Sequence, residues 1–265
     1  MTAPKLYKTT AVVLRQRKLG EAGKILTLFT PNLGKLDAVA KGVRRPKSKL
    51  AGHVEPLTYT TFLLAKGRDL DIVTQAQALE SFLPLREDLE RTGRALYVAE
   101  LVDRFTPERQ ESYPLFRLLL ETLQRLATGD RLDIALRFFE MRLLDCLGYR
   151  PQLDECVTCG KPLQPVENAW SAESGGVVCA ACARNIPMSQ PLSLNALKMM
   201  RLLQKGSYAD CARVKTASAL EMELERHLRQ YLFYLLERDV RSARFLDTLR
   251  RSGAAAFQSE AERVI

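Results

Sequence analysis

The first eighty residues set short apolar-rich runs between turn-forming residues. Tyr7–Leu14, Lys24–Thr30, Lys35–Ala40, Thr58–Leu64 and Asp71–Ala78 are strand-like in composition, the first two rich in Thr, Val, Ile and Leu. Gly20, Gly23, Pro31, Asn32, Gly34, Gly42 and Gly67 punctuate them. Short runs of this kind bounded by turn formers predict strands. Five strands in so little chain predict a small β-barrel over residues 1–80, for which the five-stranded OB-fold is the natural candidate. A small SH3-like barrel would give nearly the same pattern.

After Pro84 the apolar period changes. Leu85, Leu89, Leu96, Ala99 and Val102 recur at helical spacing, and Pro107 ends that helix. A second helix is expected from Pro114 to Thr128, with Gly129 after it, and a third from Asp130, as N-cap, to Gly148. Residues 151–190 show no regular period. Helical patterns resume at Ser193–Gln204, Thr216–Glu237 and Val240–Arg250, and residues 251–265 read as a polar tail. The expected class is therefore α+β and multidomain: an N-terminal five-stranded barrel (1–80), then an all-α helical domain (81–250) with an inserted cysteine-bearing element (151–190).

Charge changes this picture in one place. The chain carries 40 basic and 31 acidic residues, a net +9, and residues 1–80 hold +8 of it. Lys41 to Leu50 (KGVRRPKSKL) contains Lys41, Arg44, Arg45, Lys47 and Lys49 and no acid. Gly42 and Pro46 break regular structure there, so the five cations sit on a loop between the third and fourth strands. Charge segregated in this way is an electrostatic footprint for a polyanion, with nucleic acid the leading candidate. An anionic membrane would call for a basic amphipathic helix or a lipid anchor, and neither is visible. The start MTAPKLYKTT lacks the apolar stretch of a signal peptide, and no apolar run reaches the roughly 18 residues of a membrane span. A cytoplasmic, nucleoid-associated location is expected, where six cysteines are a poor disulfide framework.

The cysteines instead suggest a metal. Cys156-Val-Thr-Cys159 and Cys179-Ala-Ala-Cys182 are separated by 19 residues, the spacing of one tetrahedral zinc site. Gly160 suits the tight turn after the first pair, and Gly175-Gly176 suits a hairpin that returns the second. Four thiolates fill the coordination shell and leave no position for water, so one structural Zn2+ is expected, supplying about 10 kcal/mol of local folding free energy. His53-Val54-Glu55 has the H-x-E order of zinc deaminases, but Glu155 rather than Pro precedes Cys156, and the match reads as coincidence. Cys146 and Cys211 read as core or incidental residues. No Gly-Lys is followed by Ser or Thr, so there is no phosphate-binding Walker loop, and His53 and His227 have no evident catalytic partner. No enzyme active site is expected.

Several segments together resemble the RecO family of bacterial recombinational-repair proteins: KGVRRPKSKL, LYVAELVDRF (96–105), LRFFEMRLLDCLGYRPQLDECVTCG (136–160), GGVVCAAC (175–182) and RSARFL (241–246). The resemblance spans about residues 5–250. It implies an N-terminal OB-fold, a helical domain and a zinc-finger element. It also implies a protein that binds single- and double-stranded DNA and anneals complementary strands without ATP. With RecR, and in some settings RecF, such proteins help RecA displace single-strand-binding protein (SSB), whose acidic C-terminal tail is a further expected partner.

On this reading Lys41, Arg44, Arg45, Lys47 and Lys49 are the principal phosphate contacts, and Lys24, Lys35, Arg15 and Arg17 widen the track. Tyr7, Phe29, Tyr59 and Phe62 are available for base stacking but read first as core. Arg226, Arg229, Arg238, Arg241 and Arg244 are interspersed with acids and read as solvated helix, with the SSB tail or a longer DNA path as the other uses. An RNA-binding OB protein with a zinc ribbon is the rival to the DNA reading.

Overall fold

The computed structural model describes residues 5–236 and Thr248. The tail 251–265 and, apart from Thr248, the helix expected over 240–250 lie outside the described residues, as do Arg238, Arg241 and Arg244. The chain forms two compact units, the first reaching to Gly129 and the second beginning at Asp130.

Five strands open the first unit: β1 (Leu6–Leu19), β2 (Gly23–Thr30), β3 (Gly34–Ala40), β4 (Tyr59–Ala65) and β5 (Asp71–Glu80). They close into a barrel in the order β1-β2-β3-β5-β4, with β4 returning to β1. All pairings are antiparallel except β3 with β5, where Ala38 faces Asp71 and Val39 faces Ile72. This order is that of the OB-fold and decides against the SH3-like alternative. Alternate side chains fill the interior: Ala11 and Val13, Leu26 and Leu28, Leu36, Ala38 and Ala40, Phe62 and Leu64, and Val73. β1 runs five residues beyond the apolar stretch that predicted it. A bulge between Val13 and Arg15 shifts the register, so the charged end stays on the ladder while Arg15 and Arg17 point outward.

Three described α-helices follow in this unit: α1 (Pro84–Glu87), α2 (Leu89–Phe105) and α3 (Tyr113–Thr128). The Asp88 carboxylate accepts from the Glu90 and Arg91 backbone N–H groups at 2.8 and 3.1 Å and starts α2. Asp103 of α2 receives Arg15 at 2.6 Å and Lys35 at 3.1 Å. Phe116 of α3 packs on Phe29 and Tyr59 with ring centroids 6.2 and 6.0 Å apart. These contacts hold α2 and α3 to the barrel, so compactness breaks at residue 129, whereas the change of period in the sequence falls near residue 80.

The turn before β3 depends on glycine. Gly34 has φ +64°, and a Cβ there would lie 2.0 Å from the Gln110 carbonyl oxygen. Gly34→Ala is expected to cost at least about 2 kcal/mol, from the left-handed backbone and the clash together, read as a lower urea midpoint.

The second unit contains α4 (Leu132–Cys146), β6 (Asn168–Ser171), β7 (Gly176–Val178), α5 (Ala180–Ala183), β8 (Gln190–Leu192), α6 (Leu194–Lys205), α7 (Tyr208–Arg213) and α8 (Ser218–Leu236). The N-cap of α4 is Arg131, not Asp130, and it caps with no side-chain bond. Its guanidinium bonds the Ala212 and Val214 carbonyls and the Thr216 hydroxyl instead. The stretch read as irregular holds a three-stranded sheet, ordered β7-β6-β8. Trp170 at its centre is fully buried, edge-on to Tyr231 at 5.6 Å and 6.1 Å from the His227 ring.

His227 is wholly buried. Burial, and then the Arg226 charge, push its pKa down to about 4, against an opposing pull from Glu223. The folded form thus favours neutral imidazole. The resulting stability is fully present above the unfolded pKa near 6.5 and is lost as pH falls toward 4. His227→Leu is expected to flatten the melting temperature of this unit between pH 6.5 and 4 relative to the unsubstituted chain.

Candidate nucleic-acid interface and metal centre

The basic loop is anchored at both ends. Val43 is 2 % exposed and belongs to the barrel core, and Leu50 and Ala51 pack against that core. Between these anchors the backbone turns twice, with the Arg45 N–H bonding the Gly42 carbonyl and the Ser48 N–H the Arg45 carbonyl. Arg44 ties the loop to the β1–β2 turn. Its N–H reaches the Ala22 carbonyl at 3.1 Å, and its guanidinium donates to the Glu21 and Gly20 carbonyls at 2.9 and 3.4 Å. Lys41, Arg44, Arg45, Lys47 and Lys49 are all exposed. Among the described residues no carboxylate pairs with any of the five. The result is a held loop with open positive charge at one end of the barrel.

The other predicted cations are arranged differently. Arg17 pairs with Asp37 at 2.7 Å, and Asp37 also accepts from the Thr27 hydroxyl. Arg15 and Lys35 share Asp103, with Lys35 also bonding the Asp103 carbonyl. Lys24 pairs with Glu55 at 3.2 Å. Lys24 and Lys35 side chains are only 19 % and 14 % exposed, so their charge is largely neutralised within the fold. Arg15 and Arg17 remain half exposed beside their partners. Sequence reasoning leaves out Lys18, although it belongs to the same charged end of β1 as Arg15 and Arg17. It is exposed opposite Lys24 on the ladder, at the same end as the loop.

Of the four aromatics, two are closed to base stacking and two are half-buried. Phe29 and Phe62 are fully buried, Tyr59 lies against Phe116, and the Tyr7 hydroxyl donates to Asp71. His53 and Glu55 are also occupied in the barrel: His53 accepts from the Ala78 N–H, and Glu55 receives Lys24 and Gln16.

Cys156, Cys159, Cys179 and Cys182 converge, with all four sulfurs within 4.8 Å of one another. The first pair sits on a turn closed by the Gly160 N–H to the Cys156 carbonyl, with Gly160 at φ +69°. β6 and β7 form the returning hairpin, and Cys179 begins α5. The Cys159 and Cys179 sulfurs are 3.9 Å apart. Tetrahedral thiolates at 2.3 Å from zinc would be about 3.8 Å apart. Burial opposes ionisation of Cys156. The backbone N–H groups of Cys179, Cys159 and Thr158 aim at its sulfur, outweigh that burial, and bring the thiol down to about 6. Cys182 is pushed up to about 12, first by its bonds to Cys179 and Cys159. Four thiolates this close need a cation to coexist, and the donor set fits a soft divalent metal. Cys146 and Cys211 stand outside the cluster; Cys211 is buried and faces the Leu202 carbonyl.

The chain leading into the cluster is stapled to the helices. Arg201 donates to the Leu153 carbonyl at 2.9 and 2.7 Å, Gln204 to the Pro151 carbonyl at 2.8 Å, and Lys205 pairs with Asp154. Tyr231 of α8 donates to the Tyr149 carbonyl. No described helix is long and apolar enough to cross a membrane.

A closed OB barrel with an anchored basic loop, joined to a helical unit bearing a four-thiol cluster, defines an OB-barrel protein with a metal-competent site. The family model described as Recombination protein O N terminal matches residues 1–82, and that described as Recombination protein O C terminal matches residues 86–244. Similar proteins include the DNA repair protein RecO of Roseiflexus sp. (strain RS-1), 44% identical over 263 residues, covering 98% of this chain and 93% of that protein. The DNA repair protein RecO of Dehalococcoides mccartyi (strain CBDB1) is 41% identical over 250 residues, covering 94% and 98%. That of Pelotomaculum thermopropionicum is 40% identical over 253 residues, covering 95% and 98%. The chain belongs to the RecO family of DNA repair proteins.

Proposed function

We propose that this protein is a DNA-binding recombination mediator without catalytic chemistry of its own. It binds single- and double-stranded DNA on the barrel and anneals complementary strands without ATP. With RecR, and in some settings RecF, it helps load RecA onto SSB-coated strands. The observation that carries this reading is the loop 41–50: five exposed cations on a braced segment, with no described carboxylate pairing with them. Such a surface gives phosphate affinity with little sequence preference, and it lowers the repulsion between two strands while leaving their bases free. The four-thiol cluster supports one structural Zn2+, because four sulfur ligands leave no open coordination position. Arg226 on α8 is exposed and is available to the acidic SSB tail.

A strand-annealing assay on SSB-coated DNA, with and without RecR and without nucleotide, tests the reading. Annealing of complementary DNA, accelerated by RecR, is the expected result. Preferential binding of RNA oligonucleotides in direct competition, without DNA annealing, would transfer the protein to the RNA-binding class.

A further inference from the structure

The barrel has a second cationic end that the loop does not reach. β1 runs from Leu6 to Leu19, with Lys18 and the 41–50 loop at its far end. At its near end a cavity of about 400 Å³ opens between the start of β1, the β2–β3 turn and the β4–β5 connection. Lys5, Lys8, Lys66 and Arg109 surround it, and Tyr7 and Asp71 line it. Lys18 lies ten residue steps along β1 from Lys8, a rise on the order of 30 Å.

Asp71 organises the cavity and is itself used up. Its side chain is 2 % exposed. It accepts from the Tyr7 hydroxyl at 2.6 Å, Arg109 Nη2 at 3.0 Å and the Gly67 N–H at 3.2 Å. Burial raises its carboxyl pKa, but the Tyr7, Arg109 and Gly67 donors outweigh burial and leave it below the usual range. The carboxylate therefore aims the Arg109 fork and has little capacity left for a ligand. Arg109 has φ +57°, a conformation costly for a residue with a Cβ, and its backbone N–H is fixed to the Lys35 carbonyl at 2.8 Å. Its side chain stays 53 % exposed. Lys5, Lys8 and Lys66 are exposed and meet no carboxylate among the described residues. Four cations against one committed carboxylate leave a surplus that an entering anion relieves.

We propose that this cavity is a second anion site that takes a phosphate group of a nucleic-acid strand while loop 41–50 holds another strand. The inference rests on the DNA-binding reading above and deepens it. The volume is at the small end for ligand sites and suits one nucleotide. A guanidinium fork and three ammonium groups converging from different elements match the several oxygens of a phosphate better than the two of a carboxylate. Two strands held on one barrel meet at the high effective concentration of tethered partners, which is what annealing needs.

The test uses the full chain with Lys8→Gln and Lys66→Gln together, positions with no described ion pair to lose. Short non-complementary oligonucleotides are titrated and strands bound per chain are counted. The unsubstituted protein is expected to bind two strands and the variant one. Annealing is expected to slow about tenfold, while affinity for the first strand changes less than about threefold. Oligonucleotides with and without a 5′-phosphate distinguish the source: a second-strand affinity that needs the 5′-phosphate assigns a strand end, and equal affinities assign an internal phosphodiester. Two strands per chain and an unchanged annealing rate in the variant would overturn the proposal. So would a polyglutamate peptide that binds at these lysines while strand stoichiometry stays the same. Full strand binding by an Arg45, Lys47 and Lys49 variant, with a strand lost in the Lys8 and Lys66 variant, would sink the loop reading and leave the cavity standing.

Discussion

Replacing Cys156 and Cys159 together by serine is expected to lower the melting temperature of the second unit by about 10 °C or more, as several kcal/mol of metal-linked folding energy are lost. The full binding energy of a structural zinc is not at stake. Arg201, Gln204, Lys205 and Tyr231 hold residues 149–154 independently of the sulfurs. The loss should concentrate in the hairpin β6–β7 and in α5, whose first residue follows Cys179. Calorimetry checks the midpoint, and metal analysis should find one zinc per unsubstituted chain and none in the variant. A chelator should reproduce the shift. DNA affinity should fall less than stability; a variant that melts normally but no longer binds DNA would make the cluster a contact surface instead of a brace.

Arg45→Ala, Lys47→Ala and Lys49→Ala in one chain are expected to weaken DNA binding equally across sequences. The slope of log affinity against log salt should become shallower by about 2 for single strands and nearly 3 for duplex. Arg44 is left in place because its guanidinium and N–H tether the loop to the β1–β2 turn. Its removal would mix a lost contact with a loosened backbone. Arg44→Ala alone should therefore reduce affinity with a slope change of no more than about 1. Titrations at two or more salt concentrations read both outcomes, and an unaltered slope in the triple variant would place the interface elsewhere on the barrel.

The barrel was legible in the sequence because its strands bury alternate residues, and period two survives in Leu26 and Leu28 or Leu36, Ala38 and Ala40. The end of β1 was not, because a bulge restarts the alternation among charged residues. The sheet β6–β7–β8 was missed because strands of three or four residues are too short to show a period. α7 did leave a signal: Ser207 and Asp210 form a capping box. At the candidate site, cysteine spacing located the thiol cluster, since two short turns each fix a pair of sulfurs locally. Charge content located the loop, but it could not separate Lys47 and Lys49, which stay open, from Lys24 and Lys35, which are taken up by Glu55 and Asp103. That difference depends on partners 31 and 68 residues away. The cavity at the near end was invisible for the same reason, because Lys8, Lys66 and Arg109 meet only when the barrel closes.

The seam between β3 and β5 carries only two residue pairs, while every other neighbouring pair in the barrel is joined over a longer antiparallel ladder. The ladder from β1 to β3 is a meander of adjacent hairpins that can assemble early at little entropic cost, and β4–β5 is a further local hairpin. Pairing residues 38 and 71, together with the ladder between β1 and β4, turns two ribbons into a cylinder. Asp71 stands at that junction and grips Tyr7 on β1, Gly67 in the preceding connection and Arg109 beyond α2. It therefore acts as a rivet on the thinnest seam of the barrel. Slow amide exchange at Ile72 would report how firmly that rivet is set.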